Sequence, residues 1–256
     1  MNPVVLRADA SLGFWMRWKT KAVRSFRKRG VFGSVAFAAA LAKRRLSVRL
    51  ILYRFSNPWY RYLDKRFDRR LAVDTAGIVK LPEHDSDPRF KSCSHYEPIP
   101  HSLFFRALRQ IPVDYSKFVF VDFGCGKGKA LVLATELPFQ RIIGVERSST
   151  LIQVAEDNLR SRLRATGRQK SFEVVCMDAR EYRLPEEPAI YYFYSPFREE
   201  AMRKVLENLR RSLAATPRET YVVYACPLER NLFDQSGFLK PIKQTYWCSI
   251  YRGPEA

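Results

Sequence analysis

The stretch from Val119 to Ala134 constrains this chain most. An apolar run reaches Asp122, glycines follow at positions 124, 126 and 128, and an Ala/Leu/Val-rich stretch with helical spacing begins at once. This reads as a strand, a tight turn and a helix. That layout brings a ligand against a helix N-terminus. About 20 residues on, a second apolar run, Ile142 to Val145, ends in Glu146. An acid at that place suits a pair of ribose hydroxyls. The two elements together predict a nucleoside-containing ligand at the C-terminal edge of a parallel sheet.

The turn is spaced differently from the pyrophosphate-binding pattern. A dinucleotide site needs Gly-x-Gly-x-x-Gly, which brings phosphates to bare amides. Here the third glycine falls one residue early and an acid precedes the turn. Taken singly, each feature has a plainer reading: a βα turn, a helix-capping neighbour at Asp122, a surface acid at Glu146, a turn-capping Asp178. Their placement after three successive strands argues for one shared site.

From Phe118 onward the pattern alternates. Strands are predicted near 118–123, 141–146, 171–176, 189–194 and 219–225. Helices are predicted near 102–111, 128–137, 149–165, 198–213 and 227–235. Alternation of this kind means a parallel sheet with helices on both faces. Residues 237–252 alternate like two antiparallel strands joined by a short turn.

The set Asp122, Gly124, Gly126, Gly128, Glu146 and Asp178, in this order of elements, resembles the class I S-adenosylmethionine-dependent methyltransferases. The resemblance covers about residues 95 to 252. Upstream, Val73 to Gly77 and His95 to Pro98 weakly resemble bacterial proteins grouped with the Dot-type, non-SET lysine methyltransferases. The resemblance implies a Rossmann-like α/β/α fold, with seven strands in the order 3-2-1-4-5-7-6 and an antiparallel terminal strand. It implies S-adenosyl-L-methionine as cofactor and assigns roles. Gly124, Cys125, Gly126 and Gly128 form the cofactor turn, with Gly124 and Gly126 admitting its methionine portion. Asp122 holds the α-ammonium, Glu146 accepts from both ribose hydroxyls, and Asp178 accepts from the adenine amine beside the Ala179 amide. Met177 faces the adenine ring, and Tyr96 and Glu97 close over the cofactor carboxylate or the acceptor. Ser195, Pro196 and Phe197 resemble the acceptor-positioning motif of amino-group methyltransferases, with one proline and with Ser where Asn or Asp is commoner. The plainer reading of that segment is a strand end followed by a helix-starting proline. Methyl transfer relies on positioning and in-line approach, so a strong catalytic base is not required.

Charge divides the chain. Its net charge is +19. Residues 1–70 hold 18 Lys and Arg against three acids, Asp9, Asp64 and Asp68, a local charge of +15; residues 71–256 carry the remaining +4. We therefore read 1–70 as a basic helical extension and 71–256 as the catalytic domain. Residues 11–29 lay Leu12, Trp15, Met16, Val23 and Phe26 on one helical face, with Arg17, Lys21, Arg24 and Lys28 roughly opposite. A second helical run is expected at 34–54. Such a segment suits a polyanion, either nucleic acid or an anionic membrane surface, an acidic protein face, or simple docking on the domain. Trp15, Trp18, Trp59 and Trp247 are expected to pack or to make an interfacial contact.

Val31 to Ala42 is apolar but falls short of the ~20 residues that span a bilayer. Five scattered cysteines and three histidines offer no zinc spacing. They fit reduced thiols in a cytoplasmic protein, with peripheral membrane association open through the basic segment. The acceptor is expected to be an amine nitrogen on a protein lysine or another macromolecule. The alternatives are a nucleic-acid-binding protein or RNA methyltransferase, and a membrane-associated enzyme with a lipid-linked acceptor.

Overall fold

The computed structural model describes residues 58–79 and 95–255. The helices expected at 11–29 and 34–54, with Trp15 and Trp18, lie outside them. The described elements belong to one compact unit that starts at Asn57. The boundary drawn at residue 70 therefore falls in the last turn of a helix, α1 (Pro58–Leu71).

The remaining elements follow in order: α2 (His101–Leu108), β1 (Val119–Phe123), α3 (Lys129–Ala134), β2 (Arg141–Glu146), α4 (Ser149–Thr166), β3 (Ser171–Cys176) and β4 (Ala189–Tyr194). After them come α5 (Glu199–Ala215), β5 (Thr220–Ala225), α6 (Arg230–Asp234), β6 (Lys240–Gln244) and β7 (Cys248–Arg252). The strands make one sheet in the order β3-β2-β1-β4-β5-β7-β6. Pairing is parallel from β3 to β5, and β7 runs antiparallel to both β5 and β6. This is the architecture the resemblance implied.

Burial explains the strand sequences. β1 and β5 are buried at every residue, because helices cover both sheet faces. Apolar runs therefore replace alternation there. Period two survives in which face each ring takes. Val121, Phe123, Tyr191, Phe193, Val222, Tyr224 and Tyr251 join α5 and α6 in one core cluster. Phe120 and Tyr192 point the other way and meet Phe104 of α2. The edge strand β6 is exposed throughout. Chain reversal between the helices and strands is set locally. Ser148 caps α4 by accepting from the Leu151 amide, and Gly167 ends it with φ 63°.

This layout sets β1 beside β2 and β4, with their C-terminal ends on one edge. The register pairs Asp122 with Gly144 and with Tyr192, and pairs Glu146 with Cys176. Neighbouring strands lie about 4.8 Å apart, so residues at these ends share a small surface.

Candidate active site

The turn after β1 is held from three sides. The Gly124 and Cys125 amides both donate to the Val145 carbonyl, at 2.8 and 3.2 Å, which seals the turn onto β2. Gly124 has φ 73° and Gly126 φ 55°, in the left-handed region that glycine enters without cost. Space forbids a side chain at either. A Cβ on Gly124 would lie 2.5 Å from the Pro196 Cβ, and one on Gly126 would lie 2.0 Å from Cδ2 of Tyr96. The atoms that crowd these glycines thus belong to Pro196 and Tyr96 of the protein itself. Gly128 lets α4 approach: a Cβ there would lie 3.0 Å from that of Ala155. Cys125 is buried at the turn with its sulfur against Gly144. Burial, with the Asp122 and Glu146 charges, pushes its thiol pKa up and keeps it neutral.

The acids differ in their partners. Asp122 is 3% exposed. Burial, and secondarily the Glu146 charge, raises its pKa to about 8. Glu146 is held by three backbone amides: Oε1 accepts from Arg147 at 2.8 Å and Ser148 at 2.9 Å, and Oε2 accepts from Gly126 at 3.1 Å. A carboxylate offers about four acceptor positions, so one, on Oε2, is left for a ligand. Asp178 is likewise engaged by one residue. Its Oδ1 accepts from the Arg180 amide and Nε, at 3.0 and 2.9 Å, and its Oδ2 from Nη2 at 2.5 Å. These contacts hold its pKa below the ordinary carboxylate value, the Arg180 side chain contributing most. Ala179 is buried in the core cluster beside it. Met177 is exposed at the same edge, and its amide donates to the Glu146 carbonyl at 2.9 Å.

Residues upstream of α2 build the wall facing this turn. Val79 and Tyr96 form an antiparallel bridge. The Tyr96 hydroxyl donates to the Thr75 carbonyl at 2.7 Å while its ring lies on Gly126. Asp68, buried on the inner face of α1, accepts from the Thr75 amide and hydroxyl and from the Ala76 amide, at 2.6 to 2.8 Å. Asn158 of α4 ties this segment to the glycine turn. Its Nδ2 donates to the Asp74 and Lys127 carbonyls at 2.9 Å, and its Oδ1 accepts from the Asp74 amide at 2.6 Å. Lys127 and Asp74 pair at 2.9 Å, and buried Lys129 pairs with Asp64 at 2.6 Å. Asp68, Thr75, Asn158 and Lys129 were not singled out in the sequence. A signal existed for two of them. Asp68 is an acid in a basic run, and Asn158 interrupts the apolar stripe Leu151, Ile152, Ala155 and Leu159 of α4.

The C-terminal edge of β4 carries the last group. The Tyr194 hydroxyl donates to Oε1 of Glu97 at 2.7 Å, which places Glu97 beside the strand end. Ser195 has φ 44°, and its hydroxyl donates to the Cys226 carbonyl. Cys226 is itself left-handed, with φ 49°, and its amide donates to the Trp247 carbonyl at 2.7 Å. Ser195 thus joins the ends of β4 and β5. Phe197 is partly buried against the core cluster. Pro196 is the member of the motif that touches the glycine turn.

The residues fit S-adenosyl-L-methionine. Asp122 is a buried acid beside Glu146 with no cation against it among the described residues, and the cofactor's α-ammonium would supply one there. Glu146 and Asp178 each keep an acceptor position for a hydroxyl or amine donor.

Residues 120–216 match the family model described as a methyltransferase domain. No curated protein matches the chain. Among solved structures, it is similar to an RNA methyltransferase from Salinibacter ruber in complex with S-adenosyl-L-homocysteine. That match is at 19% identity and TM-score 0.42, over 61% of this chain and 92% of the other. It is also similar to a predicted N6-adenine-specific DNA methylase from Listeria monocytogenes, at 16% identity and TM-score 0.46, over 62% and 52% of the two chains. A third is a TehB-like methyltransferase from Corynebacterium glutamicum, at 12% identity and TM-score 0.43, over 78% and 100%. Family match and sheet order agree: residues 120–216 carry a methyltransferase domain, set in the class I S-adenosylmethionine-dependent methyltransferase fold. Its methyl donor is S-adenosyl-L-methionine. Among the described residues, no helix is long and apolar enough to cross a membrane.

Proposed function

We propose that this methyltransferase acts on an amine nitrogen carried by a macromolecule, with a lysine side chain as the leading candidate. One observation supports the reading above the others: the Tyr194–Glu97 pair at the end of β4, next to the Ser195-Pro196 segment that abuts Gly124. The cofactor supplies an electrophilic methyl group on a sulfonium sulfur. A carboxylate and a phenol at the neighbouring strand end suit an acceptor that arrives as a cation. Glu97 would hold the ammonium by a charge-assisted hydrogen bond. Partial burial at the strand end disfavours the charged form, and the ammonium would pass its proton to the Glu97 carboxylate before the neutral amine attacks the methyl carbon and the sulfur leaves as a neutral thioether. The Ser195 hydroxyl, turned to Cys226, would act by fixing the strand ends; the backbone there and Glu97 would contact the acceptor.

The test is incubation of cell extract with methyl-labelled cofactor, followed by mass spectrometry of the modified sites. Label on protein lysines, lost with Glu97→Gln while cofactor binding persists, is the expected outcome. Label confined to small oxygen-methylated metabolites would refute the reading.

A further inference from the structure

Helix α1 has two unlike halves. From Pro58 to Leu63 every residue is exposed, whereas Asp64, Phe67, Asp68 and Leu71 turn toward the domain. The exposed end is aromatic. Trp59 is 61% exposed and Tyr62 46%, with Tyr60 and Leu63 both at 38%. The Trp59 and Tyr62 rings stack on each other, with centroids 5.6 Å apart and planes at 27°.

Charge on the helix is sorted by direction. Both acids are used internally, Asp64 by Lys129 and Asp68 by Thr75 and Ala76. Arg61, Lys65, Arg66, Arg69 and Arg70 are all exposed. The outer surface of α1 is thus uniformly cationic, with an aromatic tip ahead of it. At 1.5 Å per residue, Lys65, Arg66 and Arg69 sit about one to two turns behind the Trp59–Tyr62 stack.

We infer that the exposed end of α1 is a docking surface for an anionic lipid bilayer, with Trp59, Tyr60, Tyr62 and Leu63 entering the headgroup region and the five cations meeting lipid phosphates. Trp and Tyr favour that region because each joins an apolar body to a polar tip. Basic side chains near the surface add attraction to anionic lipids. The sequence just ahead continues the pattern: Leu50, Ile51, Leu52 and Tyr53 lie between Arg49 and Arg54. Single-stranded nucleic acid fits less well. It needs stacking platforms spread along a cationic groove. Here the rings gather at one end and already occupy one face of each other. The surface is fixed relative to the cofactor turn, since Asp64 holds Lys129 at the start of α3 and Asp68 holds the segment that packs on Gly126 through Tyr96. Membrane docking would therefore hold the active-site edge near the bilayer, whatever the acceptor's chemistry.

The test uses the full chain and two kinds of vesicle, one of neutral phosphatidylcholine and one with about a third anionic phosphatidylglycerol. Two variants are compared with wild type: Trp59→Ser/Tyr62→Ser/Leu63→Ser and Lys65→Gln/Arg66→Gln/Arg69→Gln. We expect flotation with anionic vesicles only, weakened about tenfold in either variant and by high salt. Thermal midpoint and cofactor titration should stay at wild-type values, because the altered residues are exposed. Brominated acyl chains give a second readout with a conservative change: they should quench wild-type tryptophan emission more than that of Trp59→Phe. Equal flotation with neutral vesicles would overturn the inference, as would variants that float like wild type. Retention on single-stranded polyuridylate that is lost in the variants, with vesicle binding unchanged, would assign the surface to nucleic acid instead.

Discussion

The ring of Tyr96 lies across Gly126 so closely that a β-carbon on residue 126 would fall 2.0 Å from Cδ2 of the ring. Tyr96 is also bonded to Thr75, which Asp68 holds, so the contact links α1, the upstream wall and the glycine turn. Gly126→Ala is expected to destabilise the protein by about 1–3 kcal/mol through overpacking and the left-handed φ, and to weaken cofactor binding. Denaturant titration checks this. A double-mutant cycle with Tyr96→Ala should recover part of the loss, because the ring that collides is then gone.

Asp122 should make stability fall as pH rises. Its folded pKa of about 8 lies above the ordinary 3.8, so between these values the native state keeps a proton that the unfolded chain has released. Unfolding free energy then drops by up to about 1.4 kcal/mol per pH unit across that window. Asp122→Asn should flatten the dependence and raise the thermal midpoint of the cofactor-free protein at pH 7 to 8. The cofactor's ammonium favours the ionised carboxylate, so binding should strengthen as pH rises toward 8 and should release a proton. Calorimetry in buffers of different ionisation heat measures that proton. An unchanged midpoint from pH 5 to 8 would refute the assignment.

Glu146 anchors three backbone amides and retains one acceptor position, on Oε2, for a ligand hydroxyl. Glu146→Ala should cost about 1.5–3 kcal/mol of cofactor binding, roughly 10- to 150-fold in Kd. Glu146→Gln should lose less, since its carbonyl oxygen can still accept. Titration with S-adenosylmethionine and with the demethylated product separates the two variants.

Asp68 receives three hydrogen bonds in a buried site far along the chain from the glycine turn. Asp68→Ala should destabilise the protein by about 2–4 kcal/mol, because the Thr75 and Ala76 donors are left unpaired. Cofactor affinity should fall as well, through loosening of Thr75 and Tyr96. Urea unfolding followed by cofactor titration of the folded variant reads both effects.

Much of the frame was legible in the sequence because it rests on local chemistry. Apolar runs ending in Asp122 and Glu146, the glycines between them and the terminal alternation gave strand, turn and helix positions close to the observed ones. The upstream wall was not legible. Val79 pairs with Tyr96 across residues that carry no strand pattern, and Asp68 meets Thr75 through a turn that no periodicity announces. Of the two roles open to Trp59 and Trp247, core packing or an interfacial contact, their exposure leaves the second.

The sequence by itself determined the order of elements, the parallel sheet with its reversed last strand, and the acids and glycines at the strand ends. Those follow from dihedral preference and hydrophobic period, which act over a few residues. Only the tertiary structure decided what those residues meet. It put Tyr96 and Pro196 on the two glycines, turned Ser195 toward Cys226 and carried Glu97 to Tyr194. Such partners lie up to 97 positions apart, and they are chosen by how sheet and helices pack once the chain is closed.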